Sequence, residues 1–120
     1  PVPLHRNRLW QRGFNQAGEM ARALGSASGV AVDLHALRRT VPTPVLRGLG
    51  ASARAAAVSR AFAVAPASAA GVTGKAIVLV DDVYTSGATT GACTRALLKA
   101  GAASVVILCW ARVLTPAAGD

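Results

Sequence analysis

Apolar residues recur along this chain in two rhythms, and the switch between them marks the elements it predicts. Phe14, Ala17, Ala21 and Leu24 fall at helical spacing, with Gly25 as the expected stop and Gly29 as a second break. Before them, Val2 to Leu4 is a short extended start, and Arg6 to Gly13 is a polar, basic connection. Val30 to Leu37 reads as a strand followed by a helical turn. Thr40 to Gly50 holds Pro42, Pro44, Gly48 and Gly50 and reads as a loop. Ser52 is placed to cap a short alanine-rich helix ending near Arg60, with Phe62 to Val64 as a small strand. Pro66 to Gly74 is a run of small residues expected at the surface.

From Ala76 the pattern sharpens. Ala76 to Val80 is unbroken and apolar, as in a strand buried on both faces. Asp81 to Ala88 reads as a polar turn. Thr89 to Ala100 follows as a helix, with Ala92, Ala96 and Leu97 on one face and Gly101 at its end. Ser104 to Trp110 completes the series as a second buried strand. Strand, turn, helix and strand in such short compass make a βαβ unit, so the class is α/β with a parallel sheet. No internal repeat or heptad pattern is present.

At 120 residues the chain reads as one domain with a lean core, because its 52% apolar content is largely alanine and only 4% is aromatic. No apolar run approaches the roughly 20 residues needed to span a bilayer. The opening Pro1-Val2-Pro3-Leu4-His5-Arg6 lacks the apolar stretch of a signal peptide. Cys93 and Cys109 are too few for a disulfide framework or a four-ligand zinc site and read as a free, buried pair in a reducing cytoplasm. The net charge of +8 is concentrated in residues 1–60, where nine arginines face only Glu19 and Asp33. Such a half suits an anionic partner, either the phosphates of a small molecule or a nucleic-acid backbone. Solvated arginines would give the same totals.

The candidate chemistry lies where the strand meets the helix. In open α/β sheets, ligands sit beyond the carboxyl ends of the strands. Asp81 and Asp82 stand at such an end, as acceptors for hydroxyl groups. Thr85-Ser86-Gly87-Ala88-Thr89 leads from them into the helix. Small residues, hydroxyls and the unpaired amides of a helix N-terminus together form an anion cradle. Helix capping alone would account for Thr85 or Ser86, but not for paired carboxylates directly after an apolar run. Carboxylates beside an anion cradle fit a diol next to a phosphate, as in a ribose 5-phosphate. The glycine spacing and the lysine of dinucleotide and P-loop motifs are missing.

Ile77-Val78-Leu79-Val80-Asp81-Asp82-Val83-Tyr84-Thr85-Ser86-Gly87-Ala88-Thr89 resembles the thirteen-residue motif by which type I phosphoribosyltransferases bind 5-phosphoribosyl-1-pyrophosphate (PRPP). Pro1-Val2-Pro3-Leu4-His5 and Arg12-Gly13-Phe14-Asn15-Gln16-Ala17 resemble the ComF-like, competence-associated branch of that family, also called GntX-like. Thr40, Arg54, Val58, Ala61-Phe62 and Ala111-Arg112 fit that branch more loosely, so the resemblance covers nearly the whole chain.

The resemblance implies a type I phosphoribosyltransferase fold, a twisted and mostly parallel sheet flanked by helices, filling residues 1–120. The cysteine-rich zinc ribbon of full-length relatives is absent from those residues. It assigns the ribose hydroxyls to Asp81 and Asp82, and the 5-phosphate to Thr85, Ser86, Gly87, Ala88 and Thr89. The pyrophosphate falls to His5, Arg6 and Arg12, and Arg54 lies in a mobile flap. Magnesium (Mg2+) would be held through substrate oxygens, with Asp81 and Asp82 acting behind them. The implied reaction displaces pyrophosphate by a nitrogen nucleophile whose identity the sequence does not give. Relatives carry Gln after the threonine near position 40 and Asn before the Ala-Phe pair, where this chain has Val45 and Ala57. That departure bears on turnover more than on binding. The second hypothesis is therefore a PRPP-sensing or nucleic-acid-associated module, with single-stranded DNA or competence machinery as partner. A bare single-stranded DNA binder is the weakest reading, since aromatic platforms are scarce. A cytoplasmic location without membrane insertion is expected, and a homodimer is the common state of the type I family.

Overall fold

A computed structural model describes residues 1–3, 14–40, 50, 52–53, 56, 60–84 and 86–114. The elements in chain order are helix α1 (Gln16–Ser28), strand β1 (Leu37–Arg39), strand β2 (Phe62–Val64), a 3-10 turn (Pro66–Ser68), the one-turn helix α2 (Ala69–Val72), strand β3 (Ala76–Tyr84), helix α3 (Ala88–Lys99) and strand β4 (Ser104–Arg112). Ala53 and Ala56 are helical as expected, and Ser52, expected as the cap, is itself helical. The loop expected at 40–50 falls mostly outside the described residues.

The expected βαβ unit is present and orders the molecule. β3 and β4 pair in parallel, with Ala76 opposite Ser104, Leu79 opposite Ile107 and Tyr84 opposite Arg112. β1 and β2 form a separate antiparallel pair, Leu37 opposite Val64 and Arg39 opposite Phe62. α3 packs on β2, β3 and β4, and α1 packs on β3. Leu79, Cys93 and Leu97 are fully buried where β3 meets α3, in one cluster with Phe62, Val72 and Ala92. Strand alternation sends Val80 to the opposite face. There α1 buries Ala17, Gly18 and Ala21, small residues that let a helix approach a strand closely. No helix among the described residues is long and apolar enough to cross a membrane.

Several boundaries differ from expectation, each for a physical reason. α1 runs through Gly25 and stops at Gly29, whose φ of 75° is the left-handed cap and whose N–H donates to the Gly25 carbonyl. Gly25 serves close approach instead, since a Cβ there would run into the Val32 side chain. The order of strand and turn in 30–37 is reversed. Asp33 Oδ1 accepts the His35 amide at 2.9 Å and its Oδ2 accepts the Ser68 hydroxyl at 2.7 Å, which fixes a turn ahead of β1. The stretch 66–74 contributes Val72 to the core. Neither long strand is buried on both faces. Val78 is 54% exposed and Val106 61%, because α1 covers only part of the far side of the sheet.

Asn15 anchors α1 to the start of the chain. Its Oδ1 accepts the Ala17 amide as an N-cap, and its Nδ2 donates to the Val2 carbonyl, both at 3.1 Å. Val2 in turn donates its amide to the Val80 carbonyl at 2.8 Å. Asn15→Ala is expected to cost about 1–2 kcal/mol, read as a shift of the urea unfolding midpoint.

Candidate functional site

The site is built by the end of β3 and the beginning of α3. Asp81 and Asp82 were expected in a turn, yet both belong to β3, which continues to Tyr84. The reason is β4, which runs to Arg112 and keeps the ladder going, with Asp81 opposite Cys109 and Val83 opposite Ala111. The carboxylates therefore stand on a rigid strand. Asp81 Oδ1 accepts the Asp82 amide at 2.9 Å, and Asp82 Oδ1 accepts the Val83 amide at 2.8 Å.

Asp81 is half-buried, and that burial, together with its neighbour Asp82, raises its pKa to about 6. An ionised pair is therefore costly in the free protein, and a ligand bringing hydroxyl donors or positive charge would relieve it. Cys93 lies beneath the site. Burial pushes its thiol up to about 12, which makes it inert packing and no nucleophile. Cys109 is free and half-buried, so the expectation of two free thiols holds.

Gly87 is the N-cap of α3, with φ 82° and no side chain to occupy the first-turn amides. No acidic residue lies in that first turn. The positive end of the helix is thus left open toward an anion. Ser86 is exposed, and its hydroxyl approaches the Ala88 amide at 3.3 Å. Thr90, buried and not anticipated from the sequence, donates to the Gly87 carbonyl at 3.3 Å and stitches the turn. Tyr84 is a second unanticipated part. A Cβ on Gly87 would run into its hydroxyl, and the Arg112 guanidinium lies 5.6 Å from its ring centroid. The packing of Tyr84 against the loop was not readable locally, because Arg112 arrives from β4.

Asp81, Asp82, Ser86, Gly87, Ala88 and Thr89 therefore gather at one strand-to-helix junction. Thr85 in the same loop lies outside the described residues, as do His5, Arg6, Arg12 and Arg54, together with Val45 and Ala57. Among the described residues no group of three or more His, Cys, Asp or Glu side chains is placed to hold a metal ion. Two carboxylates are hard oxygen donors of the kind magnesium prefers. They are too few for an all-protein cage, and so fit an ion that arrives on substrate oxygens.

No protein-family model matches the chain, and no solved structure matches it. Curated proteins do. The chain is 35% identical over 113 residues to the DNA utilization protein YhgH of Escherichia coli K12, covering 94% of this chain and 48% of that one. The YhgH protein of Salmonella typhi gives the same values. Competence protein F of Haemophilus influenzae is 32% identical over 107 residues, 89% of this chain and 46% of that one. The chain thus spans about half the length of the curated relatives it matches. The similarity to these proteins, whose names point to DNA utilization and competence, runs across most of the 120 residues.

Proposed function

We propose that this chain is a phosphoribosyltransferase-like domain of type I fold that binds PRPP with magnesium and passes the phosphoribosyl group to a nitrogen acceptor. The observation that carries the reading is the pairing of a half-buried carboxylate, Asp81 beside Asp82, with an acid-free helix N-terminus whose N-cap, Gly87, has no side chain. A diol next to a phosphate satisfies both halves at once. Asp81 and Asp82 accept from the ribose 2- and 3-hydroxyls. The amides from Gly87 to Thr89 and the Ser86 hydroxyl hold the 5-phosphate. Magnesium, held on substrate oxygens near the two carboxylates, supplies charge neutralisation for the diphosphate.

In the reaction the bond from the anomeric carbon to the pyrophosphate oxygen breaks, and its electron pair leaves with pyrophosphate. The nitrogen lone pair forms the new bond to that carbon, and the nitrogen gives up a proton. The chain's contribution is positioning: the sugar is clamped at its diol and its 5-phosphate while charge develops at the anomeric carbon. In this reading Asp81 faces that developing positive charge.

A second reading keeps the PRPP site and replaces transfer by sensing within a competence-associated role. The names DNA utilization protein and competence protein F favour it, as does the net charge of +8. Calorimetry with magnesium and PRPP tests what the readings share. The native chain should bind, and the Asp81→Asn, Asp82→Asn double variant should show no heat of binding. A native chain that does not bind PRPP overturns both. Pyrophosphate release across a panel of bases and amines separates transferase from sensor. DNA binding that persists at saturating PRPP and falls steeply with salt would place nucleic acid at a separate surface.

A further inference from the structure

The two long strands differ on their outer sides. β3 is lined on the side away from β4 by the start of the chain, where the Val2 amide donates to the Val80 carbonyl at 2.8 Å. β4 has no strand beyond it among the described residues, so its outward amides and carbonyls form an open edge. Exposed edges are ordinarily kept short, broken by proline or defended by a charge within the strand. β4 has none of these defences. It runs nine residues from Ser104 to Arg112, has no proline, and carries its one charge at the last position.

The side chains of β4 say what fits that edge. Val106, Leu108 and Trp110 alternate onto one face and are all exposed, Trp110 by 84%. With no charge between Ser104 and Ala111, the strand has nothing by which to select an acidic or a basic partner. It is, however, complementary to itself. Two copies of β4 laid antiparallel about a twofold axis at Leu108 pair all nine residues. Each Trp110 then stands beside Val106 of the second copy, and Leu108 beside Leu108. The same register sets Arg112 against Ser104 and holds the two arginines about 27 Å apart, at about 3.4 Å per residue. Like charges so far apart repel little in water.

We propose that β4 is a homodimer interface, at which a second copy of this chain pairs with the open edge and joins the two sheets into one. Such pairing buries on the order of 500 Å² on each copy, near the lower limit for specific association, so the dimer belongs to micromolar concentrations. It stands independently of the PRPP reading.

Sedimentation equilibrium between about 1 and about 500 μM should show the mass rising from 12.1 kDa toward twice that value. Leu108→Lys sets two like charges together on the axis and should weaken dimerisation at least tenfold. A native chain that stays monomeric over this range overturns the proposal, and so does a Leu108→Lys variant that dimerises like it. Cross-linking tests the register, in a Cys109→Ser background that removes the half-buried native thiol. Oxidised glutathione should link Leu108→Cys chains in pairs, because facing residues of antiparallel strands lie within disulfide reach. Val106→Cys, about 14 Å from its own counterpart, should stay unlinked, and so should Val78→Cys on the face of β3. A Leu108→Cys chain that links no faster than either of these overturns the proposal. Should Leu108→Lys fail to fold, the cross-links decide alone.

Discussion

Asp81→Asn is expected to weaken magnesium–PRPP binding at least tenfold and, in the same protein, to raise the unfolding temperature of the free chain. The two effects share a cause. Folding raises the Asp81 pKa from 3.8 to about 6, chiefly by burial. The folded state therefore favours the protonated form, and stability is greatest below the unfolded pKa. It falls as pH rises from about 4 to about 6 and stays at the lower level above that. Asparagine keeps the oxygen that accepts the Asp82 amide and never ionises. At pH 7.5 the gain should be about 1–2 kcal/mol once the partial exposure of the carboxylate is discounted, or roughly 3–8 °C in Tm. The gain should vanish below pH 4. Binding moves the other way because the hydroxyl-to-carboxylate bond loses its charge, which is worth roughly 1.5–3 kcal/mol. A variant that binds like the native chain, or unfolds earlier at pH 7.5, would contradict this account.

Gly87→Ala should damage the cradle more than any other single methyl addition. The position has φ 82°, where an alanine costs about 1–2 kcal/mol, and the added Cβ meets the Tyr84 hydroxyl as well. Tyr84 cannot simply step aside, because it ends a strand paired with Arg112 and carries that guanidinium on its ring. Stability should fall by about 2–3 kcal/mol, and affinity for PRPP and ribose 5-phosphate alike should fall tenfold or more. Adding Tyr84→Phe should recover part of the stability by removing the oxygen, while the backbone strain persists. Native Tm and affinity in Gly87→Ala would show that neither the conformation nor the contact matters.

These effects turn on details of unequal visibility in the sequence. The βαβ unit was legible, because an apolar run, a polar break and a helical pattern are local signals. α3 begins within one residue of its expected start and β4 ends two residues later than expected. The extension of β3 through Asp81 and Asp82 was not legible. Its cause is a partner strand 28 positions later, and carboxylates after an apolar run look locally like a turn. Exposure of the strands was misjudged for a related reason, since burial depends on which helices arrive on each face. Gly25 and Gly29 exchanged roles because a stop and a close approach both call for glycine. In the site, the carboxylates and the open helix start were readable. Thr90 and Tyr84 were not, since each acquires its place only through packing.

β4 carries a last consequence. It is nine residues long, contains no proline or lysine, pairs only with β3 among the described residues, and leaves Trp110 84% exposed beside Val106, Ile107 and Leu108. A net +8 repels copies across a distance of about 10 Å at 0.1 M salt and about 3 Å at 1 M. Ionic strength therefore sets how closely two copies approach, and light scattering from the chain is expected to rise in concentrated salt.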